Sequence, residues 1–222
     1  MVIKDENLLN YINEVLPLRK GVLGEVQKYG YDNDYPIIPK DSVALMSVVL
    51  SLVSPKEILE LGTAIGFSAC FMSDFLQKGG KVTTVDRYPQ MIEEAKENIK
   101  RLNKTDCIRM IEGDINEVVS SLTGQFDVIF MDGGKGQYIN ILPDCLRLLR
   151  TGGILIADDI LLDGEIGSDR LSVKRRNRTT WTRLREFIDA LVNNESLETS
   201  ILTVGGGMAL CRKLPPLEGR CR

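Results

Sequence analysis

Ile58-Leu59-Glu60-Leu61-Gly62-Thr63-Ala64-Ile65-Gly66-Phe67-Ser68 is an apolar strand that runs into a glycine-bearing turn and then opens a helix. Gly62 permits a sharp backbone turn, and the free amides at the start of the following helix favour an anionic group such as a carboxylate. The next apolar strand, Val82 to Val85, ends in Asp86, a carboxylate placed to accept hydrogen bonds from ribose hydroxyls. A nucleotide-like cofactor fits this pairing. Dinucleotide sites usually read G-x-G-x-x-G, whereas the spacing here is G-x-x-x-G with Glu60 in the strand end. That departure favours S-adenosylmethionine, whose amino acid end carries a cationic amine as well as a carboxylate. The same residues also read as a strand-to-helix turn with no ligand, because isolated glycine motifs are weakly specific.

Outward from this stretch the pattern alternates. It predicts strands at 57–61, 81–86, 107–111, 126–131 and 153–158, with helices at 67–77, 89–102, 115–122 and 138–149 between them. Such alternation specifies a mainly parallel sheet with helices on both faces, whose ligands sit at the carboxyl ends of the strands. A helix over 180–193 then leads into strands at 197–204 and 208–211, joined by Gly205-Gly206-Gly207 as an antiparallel hairpin. Before the first strand, apolar periodicity over 6–29, interrupted at Pro17, predicts two short helices, and a third covers 41–52. The expected organisation is an N-terminal helical lid or interface segment over 1–40, a main domain over 41–213 and a disordered tail over 214–222.

Composition narrows the chemistry. With 43% hydrophobic and 27% charged residues in 222, the chain can bury a core without staples. A net charge of -3 argues against wholesale nonspecific nucleic-acid binding, although Lys174-Arg175-Arg176-Asn177-Arg178 is a local basic patch. Five scattered cysteines with no C-x-x-C pair read as reduced, mostly buried thiols. No apolar run is long enough to span a membrane and the N-terminus has no signal-peptide pattern, so no membrane partner and a cytoplasmic location are expected. The chain has no histidine, which removes the usual general base, the usual zinc ligand and every Ser-His-Asp triad.

Carboxylates fill that gap. Asp132 follows the fourth strand, and Asp158 and Asp159 follow the fifth. Three acidic groups at neighbouring strand ends, with no histidine or cysteine cluster beside them, suit a hard, oxygen-seeking cation such as Mg²⁺, Ca²⁺ or Mn²⁺. The alternative is that Asp158 caps a turn and Asp159 is solvated.

With these residues in place the chain resembles the cation-dependent class I O-methyltransferases of the catechol and caffeoyl-CoA type. The resemblance rests on I-L-E-x-G-T-x-x-G-x-S at Ile58 to Ser68, D-x-x-K-x-x-Y at Asp132 to Tyr138 and D-N-x-L-x-x-G at Asp158 to Gly164. It implies a Rossmann-like α/β fold with a seven-stranded sheet and a C-terminal antiparallel hairpin. It also implies that Ile38, Glu60, Gly62, Ser68, Asp86, Gly113, Asp114 and Asp132 surround S-adenosylmethionine, and that Asp132, Asp158 and Asp159 hold the cation. Asp159 stands where the family usually has Asn, which adds a negative charge there. Lys135 matches the lysine that the family uses as base or electrostatic partner, so Lys135 and Asp132 are the expected catalytic residues.

Within the family, Lys135-Gly136-Gln137-Tyr138 and the basic run resemble the bacterial tRNA 5-hydroxyuridine methyltransferases. The expected substrate is then a 5-hydroxyuridine in a tRNA anticodon loop, converted to 5-methoxyuridine, with Arg170, Lys174, Arg175, Arg176 and Arg178 meeting phosphates. A small catechol-like or acyl-CoA phenol is the alternative acceptor. From other classes come a nicotinamide-binding oxidoreductase, suggested by the glycine turn, and a noncatalytic RNA-binding relative, which the acidic cluster and Lys135 disfavour. A homodimer is the expected assembly.

Overall fold

In the computed structural model, which describes residues 6–216, three helices precede the first strand: α1 (Glu6–Val15), α2 (Gly21–Asp32) and α3 (Lys40–Val53). Strands and helices then alternate as β1 (Glu57–Leu61), α4 (Phe67–Ser73), β2 (Lys81–Asp86), α5 (Pro89–Arg101), β3 (Ile108–Glu112) and α6 (Ile115–Ser121). They continue as β4 (Phe126–Met131), α7 (Tyr138–Leu148), β5 (Leu149–Ala157), α8 (Arg178–Val192), β6 (Leu197–Leu202) and β7 (Met208–Lys213). The tail expected to be disordered lies outside the described residues from 217 onward.

One seven-stranded sheet runs in the order β3-β2-β1-β4-β5-β7-β6. Its first five strands are parallel, and β7 returns antiparallel between β5 and β6. This is the expected Rossmann-like arrangement with a C-terminal hairpin. The chain steps outward from β1 to β2 and β3, then crosses back to β4, which places a topological switch point between the carboxyl ends of β1 and β4. Both faces of the parallel strands are covered, so these strands read as nearly continuous apolar runs. On one face α7 and α8 bury Tyr138, Leu148, Leu184 and Phe187 against Leu59, Ile129 and Leu155. On the other, Leu23 and Val26 of α2 and Met46 and Leu50 of α3 join Phe67 and Phe71 of α4 over Ile58, Val128 and Ile156.

Most element limits differ from the expected ones by one or two residues, and the following have local reasons. The helix expected over 67–77 ends at Ser73, because Asp74, Phe75 and Leu76 donate to carbonyls three residues back and wind the chain into tight turns. The strand expected from 153 begins at Leu149, with a register shift opposite Phe126 and Val128 that accommodates Gly152 at φ 78°. In the hairpin, Thr203 and Val204 leave the strand for the turn.

Candidate functional site

At the switch point the ends of β1 and β4 approach backbone to backbone. Gly62 takes φ 108°, and a Cβ there would sit 2.6 Å from the Asp132 carbonyl oxygen and 2.9 Å from Gly133 Cα. Asp132 N donates to Leu61 O, which ties the β4 end to the β1 end, and Gly62 N donates to Val85 O, which ties the β1 end to β2. Only glycine meets both demands, a positive φ and no side chain.

Asp86, at the end of β2, organises this turn from the opposite side. Its Oδ2 accepts from the amides of Thr63 and Ala64, both at 3.0 Å, and its Oδ1 from those of Arg87 and Tyr88 at 2.7 and 3.0 Å. A carboxylate offers about four lone-pair sites, so in this conformation the residue expected to face ribose hydroxyls holds backbone instead. Asp114, the N-cap of α6, accepts from Asn116 N and Nδ2 and from Arg87 Nη1. The Asn116 and Arg87 hydrogen bonds hold its carboxyl below the usual aspartate range.

Glu60 lies beneath the turn, fully buried. Thr84 Oγ1 donates to its Oε2 at 2.5 Å, while Oε1 has no hydrogen-bond partner although Ser68 lies beside it. Burial pushes its pKa up to about 7, against the Ser68 and Thr84 hydroxyls and with help from the Asp86 charge. A buried, unpartnered carboxylate oxygen under a glycine cradle fits a cationic amine. Ser68 is buried with Glu60, and Gly113 braces Asp86 by donating its amide to Asp86 O.

Above the turn opens a cleft of about 610 Å³. Its walls include the expected Ile38, Gly62, Asp86, Asp114, Asp132, Lys135, Asp158 and Asp159, while Glu60, Ser68 and Gly113 stand behind it. Asp163, on the short 3₁₀ segment after β5, also reaches the wall. Sequence reading did not single out Arg87, Tyr88, Met91, Asn116 or Gly206 as cleft residues, nor the segment Pro36, Ile37 and Pro39 around Ile38. Arg87 and Tyr88 directly follow Asp86, which was the available signal; Gly206 was legible only as part of a turn.

The acidic residues do not converge as a trio. Asp158 is buried, and burial pushes its pKa up to about 7 even with the Lys135 ammonium nearby. Burial together with the charges of Asp158 and Glu60 raises Asp132 well above the aspartate range. Asp159 instead takes φ 58°, which turns its carboxylate into an ion pair with Lys135. Among the described residues no three His, Cys, Asp or Glu side chains are grouped as around a metal ion; of the expected set, Asp132 and Asp158 are close enough to repel each other and Asp159 lies on Lys135. Such a pair still suits a Mg²⁺-like ion, which is commonly held by one or two carboxylates with water and substrate oxygens completing its shell.

The basic run sits to one side. Arg183 Nη1 donates to Gly136 O and Trp181 Nε1 to Glu165 O, which places the start of α8 beside the Lys135 loop and the Asp163 loop. Lys174, Arg175 and Arg176 are exposed, while Arg170 donates to Thr182 Oγ1. The Arg178 guanidinium is engaged by the carbonyls of Leu171 and Val173. Cys70, Cys145 and Cys211 are buried free thiols, and burial pushes Cys70 and Cys145 up to about 12, which keeps these two thiols protonated. No helix among the described residues is long and apolar enough to cross a membrane.

Comparison with known proteins agrees with this geometry. A catechol O-methyltransferase of Niastella koreensis is 28% identical over 82% of this chain and 90% of its own length. A caffeoyl-CoA O-methyltransferase of Stellaria longipes is 24% identical over 96% and 92%. The SAH-bound methyltransferase of Podospora anserina shares the fold at a TM-score of 0.84 and 22% identity, covering 97% of this chain and 99% of its own. The O-methyltransferase family model matches residues 18–214, which sets aside the nicotinamide oxidoreductase alternative: the chain belongs to the O-methyltransferase family.

Proposed function

We propose that the cleft transfers a methyl group from S-adenosylmethionine to a phenol-like hydroxyl with the help of a divalent cation at Asp132 and Asp158. The observation that carries this reading is the division of the cleft into two electrostatic halves. Behind the wall at one end, beneath the glycine turn, Glu60 holds an unpartnered buried carboxylate oxygen suited to the cofactor's amine. At the other, Asp132, Asp158 and Lys135 share the cleft wall within electrostatic reach of one another, suited to a cation and an ionising oxygen. Arg87, Tyr88 and Met91 line the part of the wall nearest Asp86 and Asp114, where a nucleoside would lie. When bound, the cation lowers the pKa of a hydroxyl in contact with it, and S-adenosylmethionine supplies the methyl. Lys135 stabilises the negative charge that develops on that oxygen, and the Gly62 and Gly133 turns hold the two halves at a fixed separation.

The acceptor proposed is 5-hydroxyuridine in a tRNA anticodon loop. Support comes from the segment Arg170 to Arg185, which carries seven Lys or Arg and no Asp or Glu in a chain of net charge -3. Lys174, Arg175 and Arg176 are exposed there, on a segment that flanks the Lys135 loop. A second reading, a small catechol or acyl-CoA phenol, is favoured by the printed activities of the Niastella and Stellaria relatives. The exposed apolar side chains Tyr11 and Val15 on α1 and Val48 and Leu52 on α3 favour a second copy of the chain as partner. Labelled S-adenosylmethionine is incubated with total tRNA from a strain lacking this protein, with catechol in parallel, each with and without EDTA. Label in 5-methoxyuridine that disappears with EDTA is the expected result; label in catechol alone selects the second reading, and undiminished transfer in EDTA removes the cation.

A further inference from the structure

Pro39 lines the cleft, while the next residue, Lys40, lines a second cavity of about 460 Å³ between the α1–α2 connection and α3. The two cavities share no wall residue. Leu16, Leu18 and Leu23 from the connection and α2, with Val43 and Ala44 from α3, make much of the second wall apolar. Arg19, Lys20 and Lys40 line it too, and among the described residues none of these three is ion-paired with a carboxylate. Asp74 is the acid on this wall, and Lys104 Nζ lies 2.6 Å from it and offsets its charge. The Arg19 guanidinium sits 5.2 Å from the centroid of the Phe71 ring and 6.0 Å from that of Phe75, and Nη1 donates to Ser47 Oγ at 3.4 Å. Its other N–H donors have no protein acceptor among the described residues. The backbone beneath it is fixed: Arg19 N donates to Oε1 of the buried Gln27 at 2.8 Å, and a Cβ on Gly24 would overlap Arg19 O. The helix that follows, α2, starts with no side-chain cap and no acid in its first turn, so its positive end adds to the three cations.

The geometry points to a second binding site here, for a small organic anion with a phosphate or carboxylate head and an apolar body. Arg19 supplies a planar fork, held against two aromatic rings, that matches either head, and Lys20 and Lys40 add charge. A cavity of this size takes a whole small molecule, and its apolar walls gain from contact with hydrocarbon in place of water. Because the anchoring arginine is already fixed by Gln27 and its rings, little order is lost when the ligand enters. Having no wall in common with the cleft, the site can fill while cofactor and acceptor are in place.

The test is calorimetry on the full chain with the cleft saturated by S-adenosylhomocysteine, using hexyl phosphate, hexanoate, inorganic phosphate and hexanol as probes. Hexyl phosphate or hexanoate is expected to bind at about one per chain, the tighter of the two naming the head group, with inorganic phosphate and hexanol each about tenfold weaker or more. Arg19→Gln is expected to lower the affinity about tenfold, and Lys20→Gln with Lys40→Gln together about fivefold. Should Arg19→Gln fail to fold, the double lysine variant decides by itself. Absence of saturable binding by both organic anions overturns the inference, as does an unchanged affinity in the double lysine variant. A loss confined to protein carrying Lys174→Ala, Arg175→Ala and Arg176→Ala moves the anion to the start of α8 and overturns it as well.

Discussion

Glu60 and Asp86 are both acidic residues beside the glycine turn, and their surroundings give them opposite tasks. Burial keeps the Glu60 carboxyl protonated up to about 7, against an ordinary value of 4.5. In the unfolded chain it ionises near the ordinary value, so between the two the native state holds the extra proton. The stability this gives is complete below about 4.5 and is lost as pH rises through about 7, on the order of 3 kcal/mol. The ligand-free protein is therefore expected to melt at a falling temperature across that window, and Glu60→Gln to lessen the fall, the remainder coming from Asp158 and Asp132, whose carboxyls burial also raises; an equally steep fall in the variant would refute it. Because a cationic amine prefers the ionised carboxylate, cofactor affinity measured by calorimetry should strengthen over the same pH rise. Asp86 is instead satisfied by four backbone amides. Asp86→Asn puts an NH₂ against donors, at a cost of about 1–3 kcal/mol in denaturant unfolding, and loosens the turn enough to weaken cofactor binding about tenfold.

The strand-to-helix connections carry the site because they are held to each other more than to solvent. Gly62 and Gly133 touch across the β1 and β4 ends, and Tyr138 at the start of α7 donates its hydroxyl to Met131 O at 2.9 Å beneath them. Gly62→Ala must push against Asp132 backbone while adopting φ 108°, so it is expected to cost about 2–4 kcal/mol and to move Asp132. Thermal unfolding and cofactor titration together check this: a variant of native stability and native cofactor affinity would show that the two turns are not coupled. Tyr138→Phe leaves the ring packed on Phe187 and removes only the hydroxyl, so a smaller loss of about 1 kcal/mol is expected, read in the same unfolding experiment.

Across the molecule, charge is distributed unevenly. A chain of net charge -3 collects seven cations and no acid between Arg170 and Arg185, beside the Lys135 loop. Three of them, Arg178, Arg183 and Arg185, donate to backbone carbonyls and serve the fold. If tRNA is the acceptor, Lys174→Ala, Arg175→Ala and Arg176→Ala together should weaken tRNA binding and lower the slope of log affinity against log salt by about two to three, with methylation of free catechol unaffected. A filter-binding series at several salt concentrations measures this, and an unchanged slope would exclude the segment from phosphate contact.

The sequence by itself determined the strand-helix alternation, the cofactor turn at Gly62, the closing hairpin and the order of the three motifs, because apolar periodicity and glycine placement act within a few residues. It also placed Asp132, Asp158, Asp159 and Lys135 at neighbouring strand ends. Only the tertiary structure decided what each carboxylate faces. Asp86 turned to four amides, Asp158 to the amide of Asp159, and Asp159 to Lys135 in the volume left by Gly206, more than forty residues away along the chain. The reason is physical: a side chain's direction depends on a backbone dihedral such as φ 58° at Asp159 and on which distant atom already fills the space, and neither is encoded in the spacing of residue types.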